Sequence, residues 1–454
     1  MKTRWRKVAA VSLGCAKNRI DTEEILGLLG GSGYLITDDP AEADVIIINT
    51  CAFIEEAQEE SINTILELAG ESRGRKVLLV AAGCLAQRFG GQLLEEIPEL
   101  DGVIGVHSYG ELPAFLEQCF AGKKELLLLP PPRLYRSTGP RLLTGPPYSA
   151  YVKIAEGCSN CCRYCLIPSL RGPLRSRPPE EIVDEVKQLV NAGTFEINLV
   201  AQDTTAYGAD AGAADGLSEL IRRILQAVPA FFWLRILYAH PARVSDSLIE
   251  LMAREIRICK YLDLPLQHVN SELLRSMGRG YGREDIVALV QKLRQRIPGL
   301  TLRTTYLVGY PGETPERFRE LCSFVEQVPF ERVGVFSYSR QPGTAAASLG
   351  GQVPRRVAAR RRRLLLRLQQ KVALSFNRRL VGKIFTVLVE GPLRGGGPLY
   401  CGRTSFQAPE VDGLVYFRSP RPLRPGSLVR VRINLSSPYD LYGTALGLAE
   451  EHTT

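Results

Sequence analysis

No apolar run in the 454 residues reaches the roughly 18 that a helix needs to cross a bilayer, so a membrane-spanning helix is excluded. An export signal is missing as well. Met1–Lys7 is basic and Val8–Cys15 apolar, but Lys17, Arg19 and Asp21 follow at once, with no small-residue cleavage site. Ser12 stands three residues before Cys15, where a lipoprotein signal carries an aliphatic side chain. Val8–Leu13 reads instead as a first buried strand, and the chain as cytoplasmic. Eleven cysteines is an odd number, and in a long chain without an export signal it argues against a disulfide framework. With 45% hydrophobic and 23% charged residues, wholesale disorder and fibrous repeats are excluded too. What is left is a soluble globular protein of about three domains at roughly 150 residues each.

Charge is spread unevenly along the chain. Residues 1–125 carry 12 Lys/Arg and 20 Asp/Glu, a net of −8, whereas the remainder is +17. Arg355–Lys383 holds 11 basic residues and no acidic one, and 384–454 is close to neutral. An overall charge of +9 therefore does not describe a uniformly basic surface.

Hydrophobic patterning divides the chain into three units of an α/β protein. In residues 1–128, short aliphatic runs (Val45–Asn49, Val77–Ala81) alternate with helical patterns (Thr22–Leu29, Ser61–Leu68), which predicts an α/β domain on a parallel sheet. Residues 129–147 contain Pro130–Pro132, Pro140 and Pro146–Pro147, the composition of a linker. From 148 to 381 six strand candidates, from Val152–Ala155 to Arg332–Tyr338, alternate with helices and predict a partial or full β/α barrel. Its chemistry belongs at the C-terminal ends of the strands. The Arg-rich stretch trails this unit as a long amphipathic helix. Short alternating runs in 382–450 predict a small all-β barrel.

The remaining signal lies in the cysteines. Cys158, Cys162 and Cys165 stand as C-x3-C-x2-C just after the first strand of the second unit. Three thiolates on one short loop can hold three irons of a 4Fe–4S cluster and leave the fourth open. Zinc is the alternative, since Cys158/Cys161 and Cys162/Cys165 form two C-x2-C pairs, but abutting pairs leave little chain for one tetrahedral site. Buried structural cysteines are a second alternative, poorly matched to four cysteines in eight residues beside Arg163 and Tyr164. Cys161 is left over as a bystander. Cys15, Cys51 and Cys84 each close a short apolar strand of the first unit, which would bring three thiolates to one edge of a parallel sheet. Taken singly, each is equally readable as a small buried hydrophobe.

C-x3-C-x2-C with Tyr164 before the last cysteine resembles the radical S-adenosylmethionine (SAM) enzymes. With the second cysteine set, the whole chain resembles the methylthiotransferases of that superfamily. Their architecture implies an N-terminal domain with an auxiliary 4Fe–4S cluster on Cys15, Cys51 and Cys84, a radical SAM barrel with a SAM-binding cluster on Cys158, Cys162 and Cys165, and a C-terminal TRAM barrel. Within the family, Ser12–Asn18, Ile167–Gly172, Ala201–Gly208 and Ala408–Gly413 resemble the branch that modifies an aspartate of small-subunit ribosomal protein S twelve. Transfer-RNA members typically carry Pro-Tyr-Thr-Arg-Gly where this chain has Pro168–Gly172. Ala16 and Arg19 depart from the usual proline and aliphatic residue beside Cys15.

The resemblance also implies a reaction. One SAM methylates a sulfur on the auxiliary cluster; a second, cleaved to a 5′-deoxyadenosyl radical, takes a hydrogen from the aspartate β-carbon, which collects the methylthio group. SAM contacts are expected from Tyr164, from Arg175 and Arg177 (with Arg171 on the same loop), from Gln202 and Asp203 ending the second barrel strand, from Gln267 and His268 ending the fourth, and from Gly309 opening the loop after the fifth. For the arginines a solvated basic loop is the competing reading, and for His268 a core histidine. A reduced donor such as flavodoxin or ferredoxin is implied. An acidic first unit suits a basic ribosomal protein better than RNA, although the Arg355–Lys383 helix could touch ribosomal RNA or simply be a solvated face. The competing functions are methylthiolation of a transfer-RNA adenosine and a non-enzymatic iron–sulfur RNA binder or electron carrier.

Overall fold

The computed structural model describes residues 5–135, 139–393 and 398–449; residues 1–4, linker residues 136–138 and residue 450 of the expected last unit lie outside the described residues. In the first unit, six parallel strands are ordered in space as Leu35–Ile36, Lys7–Ser12, Val45–Thr50, Leu78–Ala82, Gly102–Ile104 and Glu125–Leu127. Val45–Thr50 is buried along its whole length, and its β-branched run serves two cores at once. Ile46 and Ile48 face one helical layer, and Val45 and Ile47 the other, as the two-residue period of a strand requires.

The second unit is a six-stranded parallel sheet in the spatial order Arg332–Ser337, Thr301–Val308, Ile258–Asp263, Trp233–Ile236, Glu196–Val200 and Ser149–Lys153. The first and last strands do not pair, so the curved sheet is a partial barrel. Helices such as Pro179–Asn191, Gly216–Ala227 and Arg283–Arg296 cover it, burying Ile182, Val186, Ile221 and Val290 in one continuous core. The helix Arg355–Arg378 packs along the edge strand Arg332–Ser337, with Ala358, Leu365, Gln369 and Ala373 turned inward.

The third unit is a closed five-stranded barrel: Ile384–Pro392, Leu399–Thr404, Val415–Arg418, Leu441–Leu448 and Leu428–Ser436. It docks on the second unit through a buried ion cluster. Glu196 at the start of the second barrel strand accepts from Arg235 (2.8 Å) and from Arg403 of the small barrel (2.7 Å), and all three are essentially inaccessible to solvent. Among the described residues no helix is long and apolar enough to cross a membrane.

Candidate active site

Cys15, Cys51 and Cys84 follow Lys7–Ser12, Val45–Thr50 and Leu78–Ala82, three neighbouring strands of the first sheet, at their C-terminal ends. Two glycines make the approach. Gly14 (φ +90°) turns the chain so closely past Cys51 that a Cβ on it would lie 2.9 Å from Cys51 Sγ. Gly83 (φ +93°) leaves room for Asn49 Oδ1 and Thr50 O, which a Cβ would meet at 2.3 and 2.5 Å. Cys51 and Cys84 are buried and Cys15 is exposed, so the group has a wet side. Burial pushes the Cys51 thiol up to about 12, with Cys15 and Cys84 adding to the effect. Burial also raises Cys84, against the opposing pull of Arg171. Thiols so placed are a poor site for free anions and a good one for positively charged irons, which displace the protons on binding. Gly83→Ala is expected to lose more than about 1 kcal/mol of stability and the iron held by this set, leaving the other set loaded. Iron counting with a thermal melt checks it, and a fully loaded, equally stable variant would refute it.

The second set sits on the loop after the strand Ser149–Lys153. The loop is fastened at both ends: Cys158 N–H donates to Gly172 O (3.0 Å), and Arg163 N–H donates to Met277 O (3.0 Å). Three of its sulfurs accept donors. Asn160 N–H reaches Cys158 Sγ at 3.5 Å, Ile167 N–H reaches Cys165 Sγ at 3.4 Å, and the Arg279 guanidinium reaches Cys162 Sγ at 3.4 Å. Donors aimed at sulfur are the surroundings that suit thiolates on a metal cluster. Cys161 differs: its exposed Sγ has only Ser159 O, 4.0 Å away. Burial raises Cys158, and pushes Cys165 up to about 12 with Cys162 and Cys158 adding. Among the described residues no three His, Cys, Asp or Glu side chains close on a single ion.

Around this loop the structure gathers several of the residues from which SAM contacts are expected. Tyr164 lies beside the cysteines and meets Tyr310 edge-on at 6.4 Å. Asp203 ties the loop to the barrel, accepting from Asn160 (2.9 Å) and Arg243 (2.6 Å). Gln202 donates to Glu156 (2.7 Å), while its own Oε1 is buried without a hydrogen-bond partner among the described residues, an acceptor available to a cationic ligand at the barrel mouth. Gln267, expected to end the fourth strand, lies four residues past its end at Asp263 and holds φ +70°, a conformation that costs a non-glycine residue about 1–3 kcal/mol and is concentrated at functional sites. Gly309 packs with no room for a Cβ, which would meet Ala358 Cβ at 2.4 Å, and its N–H donates to Glu313. The other expected residues are engaged elsewhere. Arg175 donates to Pro173 O and Arg171 O, Arg177 pairs with Glu181 and Glu185, and His268 is fully buried 3.4 Å from Glu313.

Two residues that sequence reasoning does not place are prominent. Arg279, on the turn between Gly278 (φ +77°) and Gly280 (φ +70°), has its guanidinium divided among Cys162 Sγ, Tyr281 Oη and Pro265 O. The Gly-Arg-Gly spacing is the available signal. Glu156, at the end of the first barrel strands, joins Arg171, Lys153 and Gln202. Burial alone would raise its carboxyl, but Arg171 and Lys153 outweigh that and hold it well below the usual range. Arg171 is 3% exposed and bonds Cys84 of the first set as well as Glu156 of the barrel.

Comparison with known proteins gives three matches along the chain: the uncharacterized protein family UPF0004 over residues 7–105, the radical SAM superfamily over 152–325, and the TRAM domain over 381–446. A protein of Pelotomaculum thermopropionicum named ribosomal protein uS12 methylthiotransferase RimO is 47% identical over 96% of this chain and 98% of its own length. Its namesake in Trichlorobacter lovleyi is 48% identical over 96% of this chain and 97% of its own length. Among solved structures, the radical SAM methyltransferase TsrM of Kitasatospora setae, with cobalamin and an iron–sulfur cluster bound, shares the fold at a TM-score of 0.57. It does so with 18% identity, over 76% of this chain and 74% of that one.

Proposed function

This chain belongs to the RimO family of ribosomal protein uS12 methylthiotransferases, and we propose that it adds a methylthio group to the β-carbon of an aspartate in small-subunit ribosomal protein S12. The observation that carries this reading is the placement of two cysteine triads at the C-terminal edges of two parallel sheets, with buried Arg171 bonded to Cys84 of one unit and to Glu156 of the other. In this reading Cys158, Cys162 and Cys165 hold the 4Fe–4S cluster that binds SAM, and Cys15, Cys51 and Cys84 hold the auxiliary one. When bound, the first would supply the electron that cleaves SAM, and the second would present the sulfur that is methylated and transferred. The chain's own residues do the rest. Backbone N–H groups and Arg279 stabilise the barrel thiolates, Gln202 and Gln267 offer polar contacts at the strand ends, and Tyr164 with Tyr310 walls the loop from water. The units then fall at 1–128, 148–381 and 382–450 around the linker 129–147.

Reconstituted enzyme given SAM, a reductant, sulfide, S12 and transfer RNA should form S-adenosylhomocysteine, 5′-deoxyadenosine and modified S12 in equal amounts. Deoxyadenosine without any modified S12, together with methylthiolated transfer RNA, would move the substrate to RNA. All eleven cysteines are free, which supports a reducing compartment and hence the cytoplasm. A reduced flavodoxin or ferredoxin is the proposed electron source.

A contact with ribosomal RNA is also proposed. Arg356, Arg360, Arg363, Arg367, Lys371 and Arg378 share one face of the helix Arg355–Arg378, in a stripe about 33 Å long at 1.5 Å per residue. All six are exposed and none has an ion-pair partner among the described residues, whereas Arg355 pairs with Glu55 and Arg361 with Glu313. Like charges at this spacing cost about 0.2–0.5 kcal/mol per pair unless a polyanion covers them. Changing Arg356, Arg360, Arg363 and Arg367 to glutamine should weaken binding to small-subunit particles and lower the slope of its salt dependence by about one for each phosphate no longer neutralised. Modification of free S12 should be unaffected; unchanged binding would remove the RNA contact.

A further inference from the structure

We infer that Arg171 is a positioning residue that fixes the auxiliary cluster against the barrel and raises its reduction potential. The inference rests on the assignment of Cys84 to that cluster. Arg171 ends the short helix Ile167–Arg171, six residues after Cys165, and crosses into the first unit. Its Nε and one terminal nitrogen donate to Cys84 Sγ at 3.4 and 3.3 Å. The same terminal nitrogen reaches Asn18 Oδ1 and Asp21 Oδ2, each at 2.8 Å. The other meets both carboxylate oxygens of Glu156 at 3.1 Å, and Glu156 in turn accepts from Gln202 at the barrel mouth. The guanidinium is thus shared between a sulfur and a carboxylate of the first unit and a carboxylate of the second: the five donors of its fork make six contacts, one donor being shared, where a lysine ammonium has only three donors.

Two consequences follow. The distance between the cluster-bearing sheets is set by a buried, fully engaged cation rather than by a flexible contact. In addition, N–H donors and positive charge at a cluster sulfur favour the more negative, reduced state, so they raise the potential. An Arg171→Lys change keeps the charge and loses the fork. In the reconstituted full chain it should keep both sets of iron, shift the auxiliary cluster to a lower potential in a redox titration followed by electron paramagnetic resonance, and leave the barrel cluster where it was. Methylthio transfer should fall roughly ten- to a hundredfold, with SAM cleavage persisting and uncoupled from transfer. Full iron with an unmoved auxiliary potential would overturn the inference.

Should Arg171→Lys fail to hold the auxiliary iron, the same question is answerable with Arg171 intact. In 15N-arginine-labelled protein bearing Cys158→Ala, Cys162→Ala and Cys165→Ala, the reduced auxiliary cluster should show nitrogen coupling in an electron–nuclear double resonance spectrum, and no coupling would overturn the inference. The underlying assignment is tested separately: if Cys84→Ala retains the auxiliary iron, that assignment falls. If it loses the iron while the Arg171→Lys potential is unmoved, only the role of Arg171 falls.

Discussion

Cys158→Ala is expected to leave the enzyme with one cluster's worth of iron and no detectable conversion of SAM to 5′-deoxyadenosine. Two thiolates, Cys162 and Cys165, then remain on a loop whose every other contact serves to hold three. The loop's anchors at Gly172 and Met277 are backbone bonds that do not depend on the missing sulfur, so the protein should stay folded and the first unit's iron should be retained. Cys161→Ala is the matched control. Its side chain is exposed and makes only the 4.0 Å approach to Ser159 O, so iron content and SAM cleavage should both be unchanged. Loss of a cluster in this control, or retention of both in Cys158→Ala, would refute the ligand assignment.

The second large effect concerns stability. Glu196→Ala should destabilise the protein by about 3–5 kcal/mol, because it leaves the buried Arg235 guanidinium without its carboxylate and Arg403 with Glu390 alone. Ser149 Oγ would lose its partner at 2.7 Å as well. Urea unfolding checks the size, and a loss within about 0.5 kcal/mol, typical of a surface substitution, would show that the ion cluster does not hold the small barrel in place. The same site sets a pH dependence. Burial alone would raise the Glu196 carboxyl, but Arg403 and Arg235 outweigh it and hold the group at about 2, below its ordinary 4.5. A depressed folded-state value stabilises above the unfolded one. The contribution is therefore intact above about pH 4.5 and is lost as pH falls toward about 2.

Much of this architecture is readable in the chain because burial imposes a period. The aliphatic run Val45–Asn49 and the six longer strands of the second unit announce themselves, and Trp233–Leu237 differs from the observed Trp233–Ile236 by one residue. Where a buried position is polar or a strand is very short, the signal fails. Leu399–Thr404 does not read as a strand in the sequence, because Gly402 and Arg403 interrupt its pattern; Arg403 is buried against the carboxylates of Glu390 and of Glu196, the latter 207 positions away. Leu35–Ile36, Gly102–Ile104 and Glu125–Leu127 are too short to show a period at all.

The candidate site divides in the same way. Cysteines at strand ends can be found by spacing, since each follows its own strand directly. Arginines cannot be placed by spacing, because a guanidinium at the end of a long side chain finds its partners only in the folded molecule. In the sequence Arg171 is one of several basic loop residues, yet in the fold its donors are spent on Cys84, Asp21, Asn18 and Glu156. Arg279 lies 117 positions from the sulfur it contacts.

The most direct test of the proposed function is peptide mass spectrometry of ribosomal protein S12 from cells with and without this gene. One aspartyl peptide heavier by a single methylthio substituent, present only with the gene, is the expected result. An S12 identical in both strains, with a methylthio-adenosine of transfer RNA missing after deletion, would contradict the substrate proposed here.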